Sequence, residues 1–257
     1  MSNLLRVAVL ASGSKGNATY IGIGEKNFLI DIGICVTELK KRLGQVNISV
    51  EDLDGVFITH EHNDHIKGLE TFANNFDVPI YTSEPTWRKI VGVFPDIARK
   101  NCKLFRGEKT FNGVQVISFP TSHDAVDSHG YSFLANGKKL TYVTDLGFVT
   151  PVVQDAIENC EVLIIESNHD IDMLKNGSYP DWLKKRILST QGHLANIVTA
   201  DTLARLKHLP EEIFLAHLSQ HNNNRELAFE TTDKCLRKIG SSTKILLASQ
   251  NEVVANF

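Results

Sequence analysis

Four side chains that can bind metal lie within six residues of the sequence, directly after an apolar segment. Residues 59–65 contain His60, His62, Asp64 and His65. In an extended chain His60 and His62 point to the same side, because side chains alternate, whereas Asp64 and His65 fall where a helix is predicted to begin. Imidazole and carboxylate donors without a thiolate suit a hard or borderline divalent cation. A solvated polar loop is the alternative, but so dense a set of donors favours a metal site.

Three further candidate ligands follow predicted strands later in the chain. His123 comes after residues 114–119, Asp145 after residues 140–144, and His217 closes an apolar run. Taken singly, each has another explanation: a loop histidine, a helix N-cap and a partly buried histidine. A common position at strand ends favours a shared site.

The apolar periodicity predicts strands that interleave with helices. Strands are predicted through the first half, including residues 27–32 and 53–59, and helices at 36–43 and 66–76, whereas the last third is more helical. This alternation is typical of an α/β architecture with helices on the outer faces of sheets. No repeat, low-complexity tract or linker interrupts the pattern, so we expect one domain over residues 1–257.

Composition narrows the class of protein further. The 257 residues are 42% hydrophobic and carry a formal net charge of −3, which excludes a highly basic coat protein but allows a local basic groove. No apolar run approaches the roughly 18 residues of a membrane-spanning helix, and the first residues are not those of a signal peptide. Four cysteines without a Cys-x-x-Cys pair predict reduced, mostly buried thiols and a cytoplasmic protein.

The run His-x-His-x-Asp-His, followed by a later His, Asp and His, resembles the signature of the metallo-β-lactamase fold superfamily. The resemblance implies an α/β fold with four layers, an αβ/βα sandwich, and a site for two divalent cations. The implied ligands are His60, His62 and His123 for one cation, Asp64, His65 and His217 for the other, and Asp145 as a bridge. It also implies that Asp31 orients a ligand histidine; a turn aspartate is the alternative.

A narrower resemblance covers nearly the whole chain. Six sequence blocks resemble, in order, those of the bacterial YycJ/WalJ group: residues 11–17, 122–125, 166–170, 177–180, 192–194 and 215–219. The resemblance implies a cytoplasmic two-metal hydrolase, a DNA exonuclease acting from the 5′ end, with a role in DNA repair. The chain has no space for the inserted domain of the β-CASP ribonucleases, and no Gly-Pro-rich arm like that of the tRNA 3′-processing enzymes.

A site of this kind predicts hydrolysis without a protein nucleophile. Two neighbouring cations that share a water lower its pKa toward neutrality, and the hydroxide can attack phosphorus. The candidate catalytic residues are Asp64 and His193, with His193 at a predicted helix start as the proton donor to the leaving oxygen; a capping or surface role is the alternative for His193. Glu166 and His169 are expected to contact substrate or to support the ligands. Manganese and zinc both suit these donors, and iron is also compatible.

Two basic runs are candidate nucleic-acid contacts, although a solvated helix face is the ordinary explanation for such a run. They are residues 40–42 and the run Lys184, Lys185 and Arg186. Other functions stay open at this point: hydrolysis of a small phosphodiester, thioester or lactone, or a metal-bound regulatory module without catalysis. The sequence leaves the metal, the choice between DNA and RNA, the polarity of cleavage and the oligomeric state undetermined.

Overall fold

A computed structural model describes residues 5–257 of the chain. Within these residues fourteen strands and nine α-helices alternate, with two short 3-10 helices at Val50–Asp52 and Arg99–Asn101. The strands are β1 (Arg6–Ala11), β2 (Ala18–Ile23), β3 (Lys26–Ile30), β4 (Gly55–Phe57), β5 (Ile80–Thr82), β6 (Cys102–Leu104), β7 (Glu108–Phe111), β8 (Val114–Pro120), β9 (His129–Ala135), β10 (Lys138–Val143), β11 (Val162–Glu166), β12 (Glu212–Ala216), β13 (Lys244–Leu247) and β14 (Val254–Ala255). The helices are α1 (Val36–Gly44), α2 (Asn63–Ile66), α3 (Leu69–Asn75), α4 (Glu84–Val93), α5 (Pro151–Ile157), α6 (Ile171–Asn176), α7 (Asp181–Ile187), α8 (Asn196–Ala204) and α9 (Arg225–Lys238).

The strands form two mixed sheets of seven strands each. The first sheet has the order β14-β1-β2-β3-β4-β5-β6 and the second the order β13-β12-β11-β10-β9-β8-β7. In each sheet an antiparallel part, β1 to β3 or β7 to β10, continues into a parallel part, β3 to β6 or β10 to β13. Two mixed sheets with helices beside them confirm the predicted α/β class.

Three apolar cores hold four layers together. One core lies between the two sheets, a second lies between the first sheet and helices α1, α3 and α4, and a third lies between the second sheet and helices α5, α8 and α9. Strand β1 shows why its sequence is apolar at almost every position: Val7 and Val9 face the core between the sheets, whereas Ala8 and Leu10 face the helices. Alternation along a strand therefore buries both faces. The layers confirm the αβ/βα sandwich.

Two predicted elements differ in extent from the structure. The helix predicted over residues 66–76 is broken into α2 and α3 at Gly68, whose N–H donates to Ile32 O at 2.8 Å. A Cβ at Gly68 would lie 2.2 Å from Ile34 O, so the chain passes too close there for one straight helix. The strand predicted over residues 53–59 keeps only β4 in the sheet, because the N–H of Thr59 donates to the carboxylate of Asp31 instead.

All four cysteines are free thiols, as predicted, but the prediction that most of them are buried is wrong. Only Cys160 is buried, Cys35 is exposed, and the other two are intermediate. Cys35 precedes α1 directly, in a surface loop where it packs little. Within residues 5–257, none of the helices has both the length and the apolar character needed to cross a membrane.

Candidate metal centre

The candidate ligands lie at one edge of the sandwich, where several strands end. Asp31 follows β3, Asp145 lies two residues after β10, and His217 follows β12. All three have left-handed backbones, with φ of +61°, +59° and +55°. Such a backbone is uncommon outside glycine, although Asp and Asn adopt it more readily than most residues. It turns the chain sharply at each strand end, and the three side chains meet at the same edge.

Three histidine rings form the first cluster of donors. His60 Nε2 lies 3.0 Å from His62 Nδ1, which in turn lies 3.3 Å from His123 Nε2. Burial lowers the pKa of His60 well below its ordinary value, and it also lowers the pKa of His123. Neutral rings can direct their lone pairs at one point, which is the form of histidine that binds metal. The family resemblance implied these three residues as one ligand set, and the structure brings them together.

The second cluster combines one carboxylate with two histidines. His65 Nε2 and His217 Nε2 lie 3.5 and 3.6 Å from Asp64 Oδ2. Burial by itself raises the pKa of Asp64, but the adjacent His65 and His217 outweigh it and lower that pKa. His217 Nε2 is buried and has no hydrogen-bond partner among residues 5–257. A buried ring nitrogen without a partner is expected where a cation completes the site.

Asp145 lies between the two clusters. Its Oδ2 is 3.4 Å from His65 Nε2, and its Oδ1 is 3.7 Å from His123 Nε2. Although Asp145 is buried, Oδ2 lacks a hydrogen-bond partner within the described part of the chain. The donor atoms of each three-residue cluster lie within 4.8 Å of one another. The arrangement fits two divalent cations that share the carboxylate of Asp145, and the donor types leave the identity of the metals open.

Asp31 supports the second cluster from behind. Its Oδ2 lies 2.7 Å from His65 Nδ1, and Thr59 donates to Oδ1 from its backbone N–H and to Oδ2 from its hydroxyl. Both Asp31 and His65 are fully buried. Because Nδ1–H of His65 points at Asp31, Nε2 carries the lone pair and is turned toward Asp64 and Asp145, where it can bind a cation. The orienting role implied for Asp31 fits this geometry, and a turn aspartate would not explain it.

Glu166 connects a ligand histidine with His193. Its Oε1 lies 2.8 Å from His193 Nδ1 and 2.9 Å from His217 Nδ1, and Oε2 accepts the N–H groups of Leu146 and Leu194. Burial alone raises the pKa of Glu166, but the contacts with His193 and His217 reverse this and lower it. The carboxylate is therefore buried as an anion and fixes the orientation of both rings, which favours a supporting role over contact with substrate.

His193 and His169 differ in their access to the site. His193 was predicted at a helix start but lies in the loop three residues before α8, and it lines a pocket of about 260 Å³ together with ligands of both clusters. His169 is 1% exposed and does not line that pocket. Burial lowers the pKa of His169 to about 4, and neither ring nitrogen has a hydrogen-bond partner among the residues described. For His169 this placement favours the supporting alternative.

The two basic runs have different surroundings. Arg42, in the run 40–42, is buried and donates to the carbonyl oxygens of Leu10 and Gln250, so it holds the fold together. In the other run, Arg186 lines the pocket and is held by Asp124, with Nη2–Oδ1 at 2.9 Å. Lys184 donates to a backbone carbonyl of α6 and Lys185 is exposed. Only the second run therefore adjoins the site.

Two polar residues of the site were not predicted from the sequence. Asn17 Nδ2 lies 3.3 Å from Asp64 Oδ2 and 3.1 Å from His65 Nε2. Ser12 accepts the backbone N–H of His217 at 2.7 Å, although the two residues are 205 positions apart. Both belong to the block 11–17 that resembles the opening hairpin of the YycJ/WalJ group. That block was the available signal, but only the tertiary fold, which brings it against α2 and the end of β12, gives each residue its partner.

The sandwich with two donor clusters at one edge defines a metal-dependent hydrolase. Comparisons with known proteins agree: the model of the beta-lactamase superfamily domain matches residues 26–218. The chain is 39% identical to the exodeoxyribonuclease YycJ of Bacillus anthracis, over 92% of this chain and 90% of that protein. It is 38% identical to the exodeoxyribonuclease WalJ of Streptococcus pneumoniae D39, over 88% and 86%.

A solved structure shares the fold over the whole length. The metallo-beta-lactamase fold protein YhfI from Bacillus subtilis has a TM-score of 0.72 at 17% identity, over 98% of this chain and 99% of that one. The chain belongs to the metallo-β-lactamase superfamily, among proteins similar to YycJ and WalJ.

Proposed function

We propose that this protein is a two-metal phosphodiesterase that removes nucleotides from DNA, starting at the 5′ end. The observation that carries the proposal is the pair of donor clusters on either side of Asp145, at the base of a pocket that also contains His193 and Arg186. Two relatives that align along most of their length are named exodeoxyribonucleases, which supports DNA as the substrate. The 5′ polarity follows from the resemblance to that group.

Different residues of the chain bind the cations and the reacting phosphate. When bound, two cations would supply an activated water and neutralise charge on the phosphoryl oxygens. The two cations would be bound by the seven ligands predicted from the sequence, which include Asp64. Asp124 holds the guanidinium of Arg186 at the pocket wall, where it can bind a further phosphoryl oxygen.

His193 is the proton donor in this proposal. Its Nδ1 is 2.8 Å from the buried Glu166 carboxylate, so Nδ1–H is committed there and Nε2 remains to hold the proton for the leaving oxygen. No other residue is needed for this step, because the leaving sugar oxygen requires one proton only.

A nuclease assay on metal-loaded protein tests the proposal. Elemental analysis gives the metal content, and duplexes labelled at the 5′ or the 3′ end then show where cleavage starts. We expect labelled mononucleotide first from the 5′-labelled duplex. Cleavage of bis(p-nitrophenyl) phosphate without cleavage of DNA would favour a small phosphodiester, and cleavage of a thioester alone would reject phosphodiester chemistry.

His193→Ala separates proton donation from metal binding. We expect unchanged metal content and a fall in kcat on DNA of about 100- to 10,000-fold, the range typical of a lost general acid. Activity on bis(p-nitrophenyl) phosphate should fall far less, because nitrophenolate leaves without a proton. His208→Ala, at an exposed position, is the control and should retain full activity. Equal losses on both substrates would exclude His193 as the donor.

A further inference from the structure

We propose that one face of helix α7 binds unpaired bases of the DNA strand as it enters the site, with Trp182 as the stacking surface. We call this face the α7 face and define it as Trp182, Lys185 and Arg186. The inference rests on the proposed function, because it specifies which form of DNA the same pocket accepts. It assigns a binding role to a residue outside the metal centre.

The exposure of Trp182 is the first observation. Its side chain is 67% exposed, the largest value for any large hydrophobic residue in the described part of the chain. None of the aromatic rings or cations of residues 5–257 stacks on the indole. By contrast, Trp87, the other tryptophan, packs against the core between the first sheet and its helices. Tryptophan is enriched at interfaces, where its large ring contacts a partner, so an exposed indole on a helix that lines the pocket is a candidate contact surface.

The position of Trp182 on α7 is the second observation. Leu183, Arg186 and Ile187 of the same helix line the pocket. Residues three and four apart share one side of a helix, so Trp182, Lys185 and Arg186 are neighbours. Four residues of helix rise about 6 Å. Since stacked nucleotides are about 3.4 Å apart along one strand, the indole lies about two nucleotides from Arg186 along a helix that lines the pocket from Leu183 to Ile187.

Charge identifies the partner as nucleic acid. The last turn of α7 carries Lys184, Lys185 and Arg186, against a single acidic residue in its first turn. The carboxylate of Asp124 balances the charge of Arg186, so Lys184 and Lys185 give this surface its positive charge, in a chain with a formal net charge of −3. Aromatic rings interleaved with cations are the usual surface for single-stranded nucleic acid, since rings stack on bases while cations follow phosphates. A paired base keeps its faces inside the duplex, so the α7 face requires an unpaired strand.

Fluorescence of Trp182 tests the contact directly. The chain has two tryptophans, so Trp87→Phe leaves Trp182 as the single reporter. This metal-loaded variant is titrated with a single-stranded oligothymidylate carrying phosphorothioate linkages, which slow its cleavage. We expect saturable quenching at the same concentrations at which labelled oligonucleotide gains anisotropy. Unchanged fluorescence overturns the proposal, whether or not the oligonucleotide binds.

Kinetics give a second, independent test. For Trp182→Ala we expect KM on single-stranded DNA to rise about 5- to 100-fold, as for the loss of one stacked base, with kcat within about twofold. Trp182→Phe should keep most of the affinity. Leu188→Ala removes another exposed apolar side chain at the end of α7 and should change nothing. Abasic residues at the first two positions of the substrate should abolish the difference between wild type and Trp182→Ala.

The controls separate this proposal from the proposed function. Bis(p-nitrophenyl) phosphate has no base to stack, so Trp182→Ala should cleave it at the wild-type rate; a matching loss there would make Trp182 structural and overturn the inference. If all variants cleave bis(p-nitrophenyl) phosphate and none cleaves DNA, the proposed nuclease function fails. The fluorescence titration still decides whether Trp182 binds bases.

Discussion

At the scale of single residues, the left-handed backbone at three strand ends links the fold to the chemistry. Asp31, Asp145 and His217 all have φ near +60°. For a residue other than Gly, Asn or Asp this conformation costs roughly 1–2 kcal/mol. Of the three residues only His217 carries this cost, and its backbone N–H is held by the hydroxyl of Ser12, whereas Thr59 holds Asp31 in place. A substitution at these positions therefore changes backbone energy as well as ligand chemistry.

Asp31→Asn separates these two effects. Asn accepts the left-handed backbone, so we expect a folded protein with nearly unchanged thermal unfolding in the metal-free state. Metal affinity should fall about 10- to 100-fold, because an amide orients His65 less well than a carboxylate. Competition with a chelating dye measures this affinity.

Two controls make the result specific to Asp31. Asp54→Asn removes a partly buried carboxylate at the other end of the same sheet and should keep full metal affinity. Asp31→Ala should lose both metal affinity and stability, because it adds backbone strain. Wild-type metal affinity in Asp31→Asn would mean that Asp31 does not orient His65.

The residue types of the ligands could be predicted from the sequence, but several of their supports could not. The ability of closely spaced His and Asp side chains to bind metal is a property of the residue types, so it is visible in the sequence. The contact of Glu166 with two histidines, in contrast, exists only because β11 lies between β10 and β12. Likewise, Ser12 meets His217 through the packing of distant strands. Contacts of this kind depend on topology, which a local pattern does not contain.

At the scale of elements, the break between α2 and α3 positions two ligands. Helix α2 has only four residues, and it carries Asp64 and His65. Its direction depends on Gly68, which lies against the backbone of Ile34. The apolar spacing of residues 66–76 predicted one helix because it carries no information about this close approach.

Gly68→Ala should disturb this element. A Cβ 2.2 Å from a backbone oxygen forces a shift, and we expect a loss of about 1–3 kcal/mol in the free energy of unfolding, as for other overpacked sites, with reduced metal occupancy. Gly44→Ala, where an added Cβ meets nothing within 4 Å, is the matched control and should be neutral or slightly stabilising. Urea unfolding followed by circular dichroism measures the free energy of unfolding of both variants. Equal values for Gly68→Ala and Gly44→Ala would refute the close approach at Gly68.

Some elements absent from the sequence-based prediction had local signals, whereas others had none. Helices α4 and α5 begin after Ser83 and Thr150, which accept the N–H three residues on, and a proline follows in the first turn of each. These are ordinary helix-start signals. Strands β6 and β7 are short and largely exposed, so they have no apolar periodicity to detect. They form because a neighbouring strand edge is available.

At the scale of the whole molecule, the core between the sheets joins the two halves of the chain. Phe57 of the first sheet stacks or packs edge-on against aromatic rings of both sheets, including Tyr81 and Phe133. Neither sheet can bury its inner face without the other. We therefore propose that the described chain unfolds as one unit, as expected for a single domain.

Two single-tryptophan variants test this unit. Trp182→Phe leaves Trp87 beside the first sheet, and Trp87→Phe leaves Trp182 on α7, in the second half. In guanidinium chloride we expect both fluorescence transitions to coincide with the circular dichroism transition for metal-loaded protein. If the fluorescence midpoint differed from the circular dichroism midpoint in both variants, the chain would unfold as two independent domains.

Strand β1 has one partner that is distant in the sequence: Ala8 pairs with Ala255, and Val9 pairs with Val254. During synthesis on a ribosome, β1 emerges long before β14, and this flank has no neighbour until β14 follows. An unprotected flank is a ready template for another nascent chain. Slow synthesis of the segment between β1 and β14, or a truncation before β14, would thus leave this flank open to aggregation, and recombinant yield should depend on how quickly β14 follows.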